Sequence, residues 1–242
     1  MGGGTVSERL GGGKVANASA GSGSGAAPEA PDPFLAERET MVREQIRARG
    51  VRDPRVLAAM AAVPRHRFLP EHLRSVAYAD HPLPIGYGQT ISQPYIVAAM
   101  AEALELGGRE RVLEVGSGCG YMAAVLARLA GQVCGIELEP DLHRRAGELL
   151  DALGCRNVEL ACGDGALGWP ERAPFDAVVV SCAAPGIPPE LWQQLRPGGA
   201  MILPVGAPHG LQQLVLARKV TEGCAVSNLM PVSFVPLRAP GQ

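Results

Sequence analysis

The sequence is short of what metal binding and disulfide frameworks require. Its six cysteines (119, 134, 155, 162, 182 and 224) contain no CxxC pair, and its five histidines contain no HExxH. Neither a zinc site nor a disulfide framework is indicated, and the expectation for metal is none. Scattered thiols in apolar surroundings read instead as small core residues. Positive charge is scarce too, with 22 Lys and Arg against 24 Asp and Glu, a formal net charge of -2 and a pI of about 6.2. Such a balance leaves no excess to neutralise a phosphate backbone or bind an anionic bilayer, so neither nucleic acid nor membrane is expected as a partner. Apolar runs are short: Ile96 to Leu106 is interrupted by Glu102 and Glu105, far from the roughly 20 residues that span a bilayer. No basic region followed by an apolar run opens the chain, so a secretory signal is not expected, a cytoplasmic location is, and Asn17-Ala18-Ser19 reads as a chance sequon. Aromatic residues are absent before Phe34, while residues 1–33 carry nine glycines. A segment of that composition cannot bury enough apolar area to offset its ordering entropy, and a disordered tail is expected over 1–33.

From about Glu37 the composition changes. Met41, Ile46, Val56, Leu57, Met60 and Val63 recur at helical spacing, and Asp53-Pro54 marks the start of a second helix. Pro64 to Pro94 is rich in Pro, Gly and aromatics and reads as an irregular segment, a type that in compact domains tends to be functional. The rest alternates. Helices are expected over Ile96–Leu106, Tyr121–Leu129, Pro140–Leu153 and Pro189–Leu195. Strands are expected over Arg111–Val115, Gln132–Glu137, Asn157–Ala161, Phe175–Ser181 and Ala200–Val205. Short apolar strands joined by helices imply an α/β, doubly wound and mostly parallel sheet, because parallel neighbours need crossover connections. Leu211–Val220 and Val226–Val235 read as an antiparallel C-terminal strand pair, and the N-terminal helices precede the sheet.

The sharpest local signal is Val112-Leu113-Glu114-Val115-Gly116-Ser117-Gly118-Cys119-Gly120-Tyr121, a buried strand entering a glycine-rich turn and then a helix. Glycines there permit positive φ and close approach of a ligand to the backbone. The spacing is GxGxG, with Tyr121 where a dinucleotide fingerprint wants a third glycine, which disfavours NAD without excluding it. At the end of the next strand, Glu137 can accept from two vicinal ribose hydroxyls. At the third strand end, Gly163-Asp164-Gly165 offers a carboxylate to an exocyclic amine and room for a flat ring. Singly, each is an ordinary turn or a solvated acid; jointly, at consecutive strand ends, they describe a nucleoside cleft.

This arrangement resembles the class I S-adenosylmethionine methyltransferases. Within that class, Leu83-Pro84-Ile85-Gly86-Tyr87-Gly88-Gln89-Thr90-Ile91-Ser92-Gln93-Pro94-Tyr95 closely resembles the signature segment of the protein-L-isoaspartate O-methyltransferases. Val63-Pro64-Arg65 with Phe68, Ala173-Pro174-Phe175-Asp176-Ala177, Leu203-Pro204-Val205-Gly206 and Phe234-Val235-Pro236-Leu237 follow in the family's order, so the likeness covers about 40 to 238. It implies a Rossmann-like methyltransferase domain over 34–242, with 34–94 carrying the N-terminal helices and substrate segment and 95–242 the cofactor core. It implies S-adenosyl-L-methionine as cofactor, held by Gln89, Thr90, Ile91, Glu114, Gly116, Ser117, Gly118, Gly120, Glu137, Leu138, Asp164 and Gly165. It further implies Ser92 as the active-site serine that orients the incoming carboxylate, with Ile91, Gln93, Pro204 and Val205 around the substrate. The partners would be isoaspartyl proteins and peptides, and a monomer is expected. Cys119 departs from the family's small hydroxyl residue, and Ser181-Cys182-Ala183-Ala184-Pro185 is a variant loop.

Bland readings stand beside these roles. Ser92 also fits the N-cap of the following helix, a role Ser favours, and the two roles can coexist. His66, His72, His81 and His209 read as surface or packing residues, because an ionised carboxylate needs no base to attack a sulfonium methyl. Three other functions share parts of the pattern: another class I methyltransferase with a small-molecule or nucleic-acid acceptor, a non-catalytic S-adenosylmethionine-binding recognition module, and a NAD-linked dehydrogenase.

Overall fold

Asp53 accepts the backbone N–H of Arg55 while Pro54 fills the first turn, and from this cap α2 runs over Pro54–Ala62. Before it, α1 (Leu35–Thr40) continues through a π-helical turn, Met41–Ile46, and a 3-10 turn, Arg47–Arg49. Of the periodic residues, Met41, Ile46, Val56, Met60 and Val63 are buried, while Leu57 is only partly buried against the core. The computed structural model describes Met1 and residues 32–238 apart from 208–209 and 222. The tail expected over 1–33 therefore lies, but for Met1, Asp32 and Pro33, outside the described residues, as does His209. Among the described residues no helix is long and apolar enough to cross a membrane.

Pro64 to Pro94 is more ordered than its composition implies. After two 3-10 turns it forms a short hairpin of β1 (Leu83–Gly86) and β2 (Gln89–Ile91), which pair only with each other. The main sheet has seven strands: β3 (Arg111–Val115), β4 (Gln132–Glu137), β5 (Val158–Cys162), β6 (Phe175–Val180), β7 (Leu195–Gly206), β8 (Gln212–Val220) and β9 (Gly223–Val232). Their order is β5-β4-β3-β6-β7-β8-β9, parallel through β7 and antiparallel for β8 and β9. Helices α3 (Pro94–Ala103), α4 (Tyr121–Leu126), α5 (Pro140–Ala152) and α6 (Pro189–Gln194) complete the fold. Strand alternation splits the core in two. Val112, Val133, Val179 and Ile202 join one apolar cluster, and their neighbours Leu113, Cys134, Val178 and Met201 join the other.

Several boundaries shift by a few residues from expectation, and two of the shifts have a plain physical reason. Residues 196–199, with the Pro197-Gly198-Gly199 turn, bulge inside β7 between the pairs Leu195–Phe175 and Ala200–Ala177, so the strand begins directly at the end of α6. β9 stops at Val232 instead of reaching Val235. Gln212, almost fully buried, donates from Nε2 to Phe234 O at 3.1 Å and accepts from Phe234 N at 2.7 Å, which peels the chain off the sheet edge. Strand order reverses between β3 and β6, and ligands of open α/β sheets bind in the crevice at such a point. The cysteines divide: Cys134 and Cys182 are buried, as expected of small core residues, but Cys162 and Cys224 are exposed.

Candidate active site

At the end of β3 the chain takes positive φ at Gly116 (79°), Gly118 (54°) and Gly120 (85°), conformations that residues with a Cβ avoid. The turn is fixed by its own backbone. Gly116 N and Ser117 N both donate to Ile136 O, at 2.9 and 3.1 Å, and Gly120 N donates to Ser117 O at 2.8 Å. Gly120 caps α4 and faces α5, where an added Cβ would lie 3.2 Å from Ala146 Cβ and Leu150 Cδ1. Its place is thus in helix packing, and it lines none of the chambers below.

Two carboxylates flank the turn. Glu137 Oε2 accepts from Gly118 N at 2.7 Å and Oε1 from Glu139 N at 2.9 Å, so each oxygen keeps a lone pair for a further donor. Glu114 is buried. Its Oε1 receives the Ser181 hydroxyl at 3.4 Å, while Oε2, like the hydroxyl of Ser117, is buried with no hydrogen-bond partner. Burial pushes the Glu114 carboxyl up to about 8 against the lowering effect of the Ser117 hydroxyl, and the negative charge of Glu137 adds to the rise. Burial likewise lifts the Cys119 thiol to about 11 and that of Cys182 to about 12, which leaves both protonated at neutral pH.

The cavity at the switch point has three parts. A cleft between hairpin and sheet is lined by Gln89, Thr90, Gly116, Gly118, Glu137, Leu138, Gly165 and the C-terminal residues Val235–Arg238. An inner chamber, lined by Thr90, Ile91, Ser92, Glu114, Gly116, Ser117, Tyr121 and Ser181, shares Thr90, Gly116, Gly118 and Ser181 with the cleft. An outer groove is lined by Pro82, Thr90, Ser92, Gln93, Ile96 and residues 231–234. Thr90 and Ser92 thus line both the inner chamber and the outer groove. Ser92 is free to do so because α3 begins one step later than capping by Ser92 would require: Gln93 is the N-cap, without a side-chain cap bond, and Pro94 opens the helix.

Most of the residues picked out in the sequence converge on this cavity; four do not. Besides Gly120, Asp164 turns its Oδ1 to Ala166 N at 2.9 Å and caps a 3-10 turn, leaving Gly165 on the cleft wall. That glycine has no room for a side chain, since a Cβ would stand 2.6 Å from Val115 Cγ1. Pro204 and Val205 line none of the three chambers and instead bridge to Ala184. Residues 235–238, Ser181 and Cys182 do line the cleft and were not expected there. The strap is tied by Ala183 N to Val235 O and Leu237 N to Ala183 O, both at 2.8 Å. With its amide oriented so that the oxygen faces the guanidinium, Gln89 accepts from Arg238 Nη2 at 2.8 Å and Nε at 3.2 Å. The one prior signal for the strap was the Phe234-Val235-Pro236-Leu237 match, which carried no position.

Comparison with known proteins agrees with this geometry. The family model for protein-L-isoaspartate(D-aspartate) O-methyltransferase matches residues 36–241. A protein-L-isoaspartate O-methyltransferase of Anaeromyxobacter sp. is 62% identical over 205 residues, covering 85% of this chain and 84% of its own. A solved protein-L-isoaspartate O-methyltransferase superposes with a TM-score of 0.75 at 29% identity, over 84% of this chain and 66% of that one. A Plasmodium falciparum structure, described as this enzyme in complex with S-adenosyl-L-homocysteine, has a TM-score of 0.70 at 26% identity, over 83% and 98%. With a glycine turn, two strand-end carboxylates and a serine shared between two chambers, this chain belongs to the protein-L-isoaspartate O-methyltransferase family, which moves a methyl group from S-adenosylmethionine to the carboxylate of isoaspartyl residues.

Proposed function

We propose that residues 34–242 act as one methyltransferase domain in which Ser92 presents the isoaspartyl carboxylate to the cofactor, starting repair of the damaged site. The observation that carries this reading is the position of Thr90 and Ser92 between the inner chamber and the outer groove. A peptide lying in the groove meets the cofactor side at those two residues.

The residues fit the cofactor. Glu114 Oε2 and Ser117 Oγ are buried near each other without a well-formed hydrogen bond, a cost that a ligand donor or acceptor would relieve. Glu114 would take the ammonium of the methionine moiety, and backbone amides of the glycine turn its carboxylate. Glu137 and Leu138 would hold the ribose, and Gly165 would leave space for the adenine with Asp164 behind it. Gln89, Thr90 and Ile91 would close the hairpin side. When bound, S-adenosylmethionine supplies an electrophilic methyl group on a sulfonium sulfur.

The acceptor carboxyl, with a reference pKa of about 3.9, is already ionised at neutral pH, so the chain has no proton to remove. Its task is alignment and partial desolvation. The Ser92 hydroxyl donates to the carboxylate and fixes its direction, while Ile91 and Gln93 bound the peptide backbone. Pro204 and Val205 would act only at a distance, through Ala184. We further read the protein as a cytoplasmic monomer. The free cysteines suit a reducing compartment, and a net charge of -2 does not favour nucleic acid. A methyl-transfer assay pairing an isoaspartyl peptide with its normal aspartyl isomer tests the reading: label is expected on the first only. Equal labelling of both, or of neither, defeats it.

A further inference from the structure

The β1–β2 hairpin turns as tightly as a hairpin can. Gly86 pairs with Gln89, leaving Tyr87 and Gly88 as the central residues, with φ of 54° and 70°. Turns with two left-handed central residues favour Asn-Gly or Asp-Gly, because a bulky side chain at the first position is strained. Tyrosine occupies that position here, so a contact outside the turn must hold it. That contact is present. The Tyr87 hydroxyl donates to Asp141 Oδ2 at 2.7 Å, in the first turn of α5, and it holds the Asp141 carboxyl below the usual carboxylate range.

The two residues lie just outside the cofactor cleft, each close in the chain to residues that line it. Tyr87 is followed by Gly88 and then by Gln89 and Thr90 on one wall; Asp141 comes soon after Glu137 and Leu138 on the other. Between them, Ile85 covers the glycine turn closely enough that a Cβ on Gly118 would lie 3.2 Å from Ile85 Cδ1. The hairpin has no backbone pairing to the main sheet; Leu83, Ile85 and Ile91 anchor its base in the core, and the Tyr87 hydroxyl ties its tip to α5.

We propose that Tyr87 and Asp141 form a positioning pair that bridges the mouth of the cofactor cleft and sets how fast S-adenosylhomocysteine leaves after transfer. This rests on the reading of the cleft as the nucleoside site. Both side chains are at the surface, Tyr87 being 45% exposed and the Asp141 side chain 55%, and neither contacts the reacting atoms. Asp141 has a second neighbour, Arg144 Nη2 at 3.6 Å, so Tyr87→Phe isolates the bridge more cleanly than Asp141→Asn.

The test is stopped-flow displacement of S-adenosylhomocysteine from the full chain, with steady-state constants for both substrates and thermal melts. Tyr87→Phe, Tyr87→Asn and Asp141→Asn should each release the product roughly three- to tenfold faster, since changes of this kind fall mainly on dissociation. The KM for S-adenosylmethionine should rise, and that for an isoaspartyl peptide should stay within about twofold, as expected of a part remote from the groove. Tyr87→Asn relaxes the turn, so its melting temperature should equal or exceed that of the wild type although product leaves faster. A purely structural bond gives the opposite, a lower melting temperature with unchanged release, and that result overturns the proposal. Tyr87→Phe combined with Asp141→Asn should be no faster than either alone within about twofold, because one bond is removed in each case; multiplied effects also overturn it. Wild-type protein that binds no S-adenosylhomocysteine overturns the cofactor reading and the pair with it, whereas tight binding with unaltered release in the variants overturns the pair alone.

Discussion

The cofactor turn and the cover above it are built in opposite ways. The turn, Gly116 to Gly120, grows out of a central strand buried on both faces, and its amides are fixed by Ile136 O, Ser117 O and Glu137. The cover, made of the β1–β2 hairpin and residues 233–238, belongs to no parallel layer. Besides the backbone bonds of Ala183 to Val235 and Leu237 and the buried anchors Leu83, Ile85 and Ile91, it is tied by side chains: Tyr87 to Asp141, Gln212 to Phe234, and Gln89 to Arg238. On the proposed reading, the part that recognises the cofactor is fixed by backbone bonds around a central strand end, and the cover above it adds side-chain bonds that can open separately. Segments with few backbone pairings to the rest open at lower free energy than a central strand does.

Perturbing each region should therefore have a distinct signature. The largest effect is expected where the two meet. Ser92→Ala should lower kcat on the order of 100-fold, the loss that misalignment of a reacting group produces, while S-adenosylhomocysteine affinity in a calorimetric titration stays within about twofold of wild type. Full activity in that variant would remove Ser92 from the mechanism. In the rigid region, Glu114→Gln should weaken S-adenosylhomocysteine binding by roughly 10- to 30-fold, the worth of one charge-assisted hydrogen bond, and leave the peptide KM alone.

The same carboxyl predicts a pH dependence. With Glu114 at about 8 in the free protein, a cationic ligand must displace its proton at lower pH. Affinity should fall by up to about tenfold per unit as pH drops below 8, and a flat profile in Glu114→Gln would assign the effect. Its stability contribution has the opposite slope. The folded state holds this proton between the ordinary carboxyl value of 4.5 and about 8, whereas the unfolded chain does not. That contribution is full below pH 4.5 and is lost as pH rises toward 8, so denaturant midpoints of wild type relative to Glu114→Gln should decline across the window.

The smallest effect belongs to the cover. Gln212→Ala removes two hydrogen bonds to Phe234 and should cost about 1–3 kcal/mol in unfolding experiments. Limited proteolysis should then cut near residues 233–238 faster than elsewhere. Uniform cleavage across the chain would mean that Gln212 supports β8 rather than the strap.

The rigid half was far more legible than the cover. Arg111–Val115 and Gln132–Glu137 emerge with the bounds read from their apolar runs, and the glycine turn sits where β3 ends, because these are local patterns of burial and φ. Hairpin β1–β2 was missed, since two strands of four and three residues between prolines and glycines do not show a period. Gly120 and Asp164 illustrate a different limit. Each has the right residue type at a strand end, yet one packs against Ala146 and Leu150 and the other caps its own turn, a choice that depends on neighbours far away in the chain.

What the sequence determined alone is the alternating order of strands and helices, the positive-φ turn and the acids at strand ends, all properties of residues within one element. Only the tertiary structure decided that Gln212 peels residues 233–238 off the sheet edge, that the cleft gains its far wall from them, and that Ser92 faces two chambers. Those outcomes are set by hydrogen bonds and packing between segments distant in the chain, which no local spacing encodes.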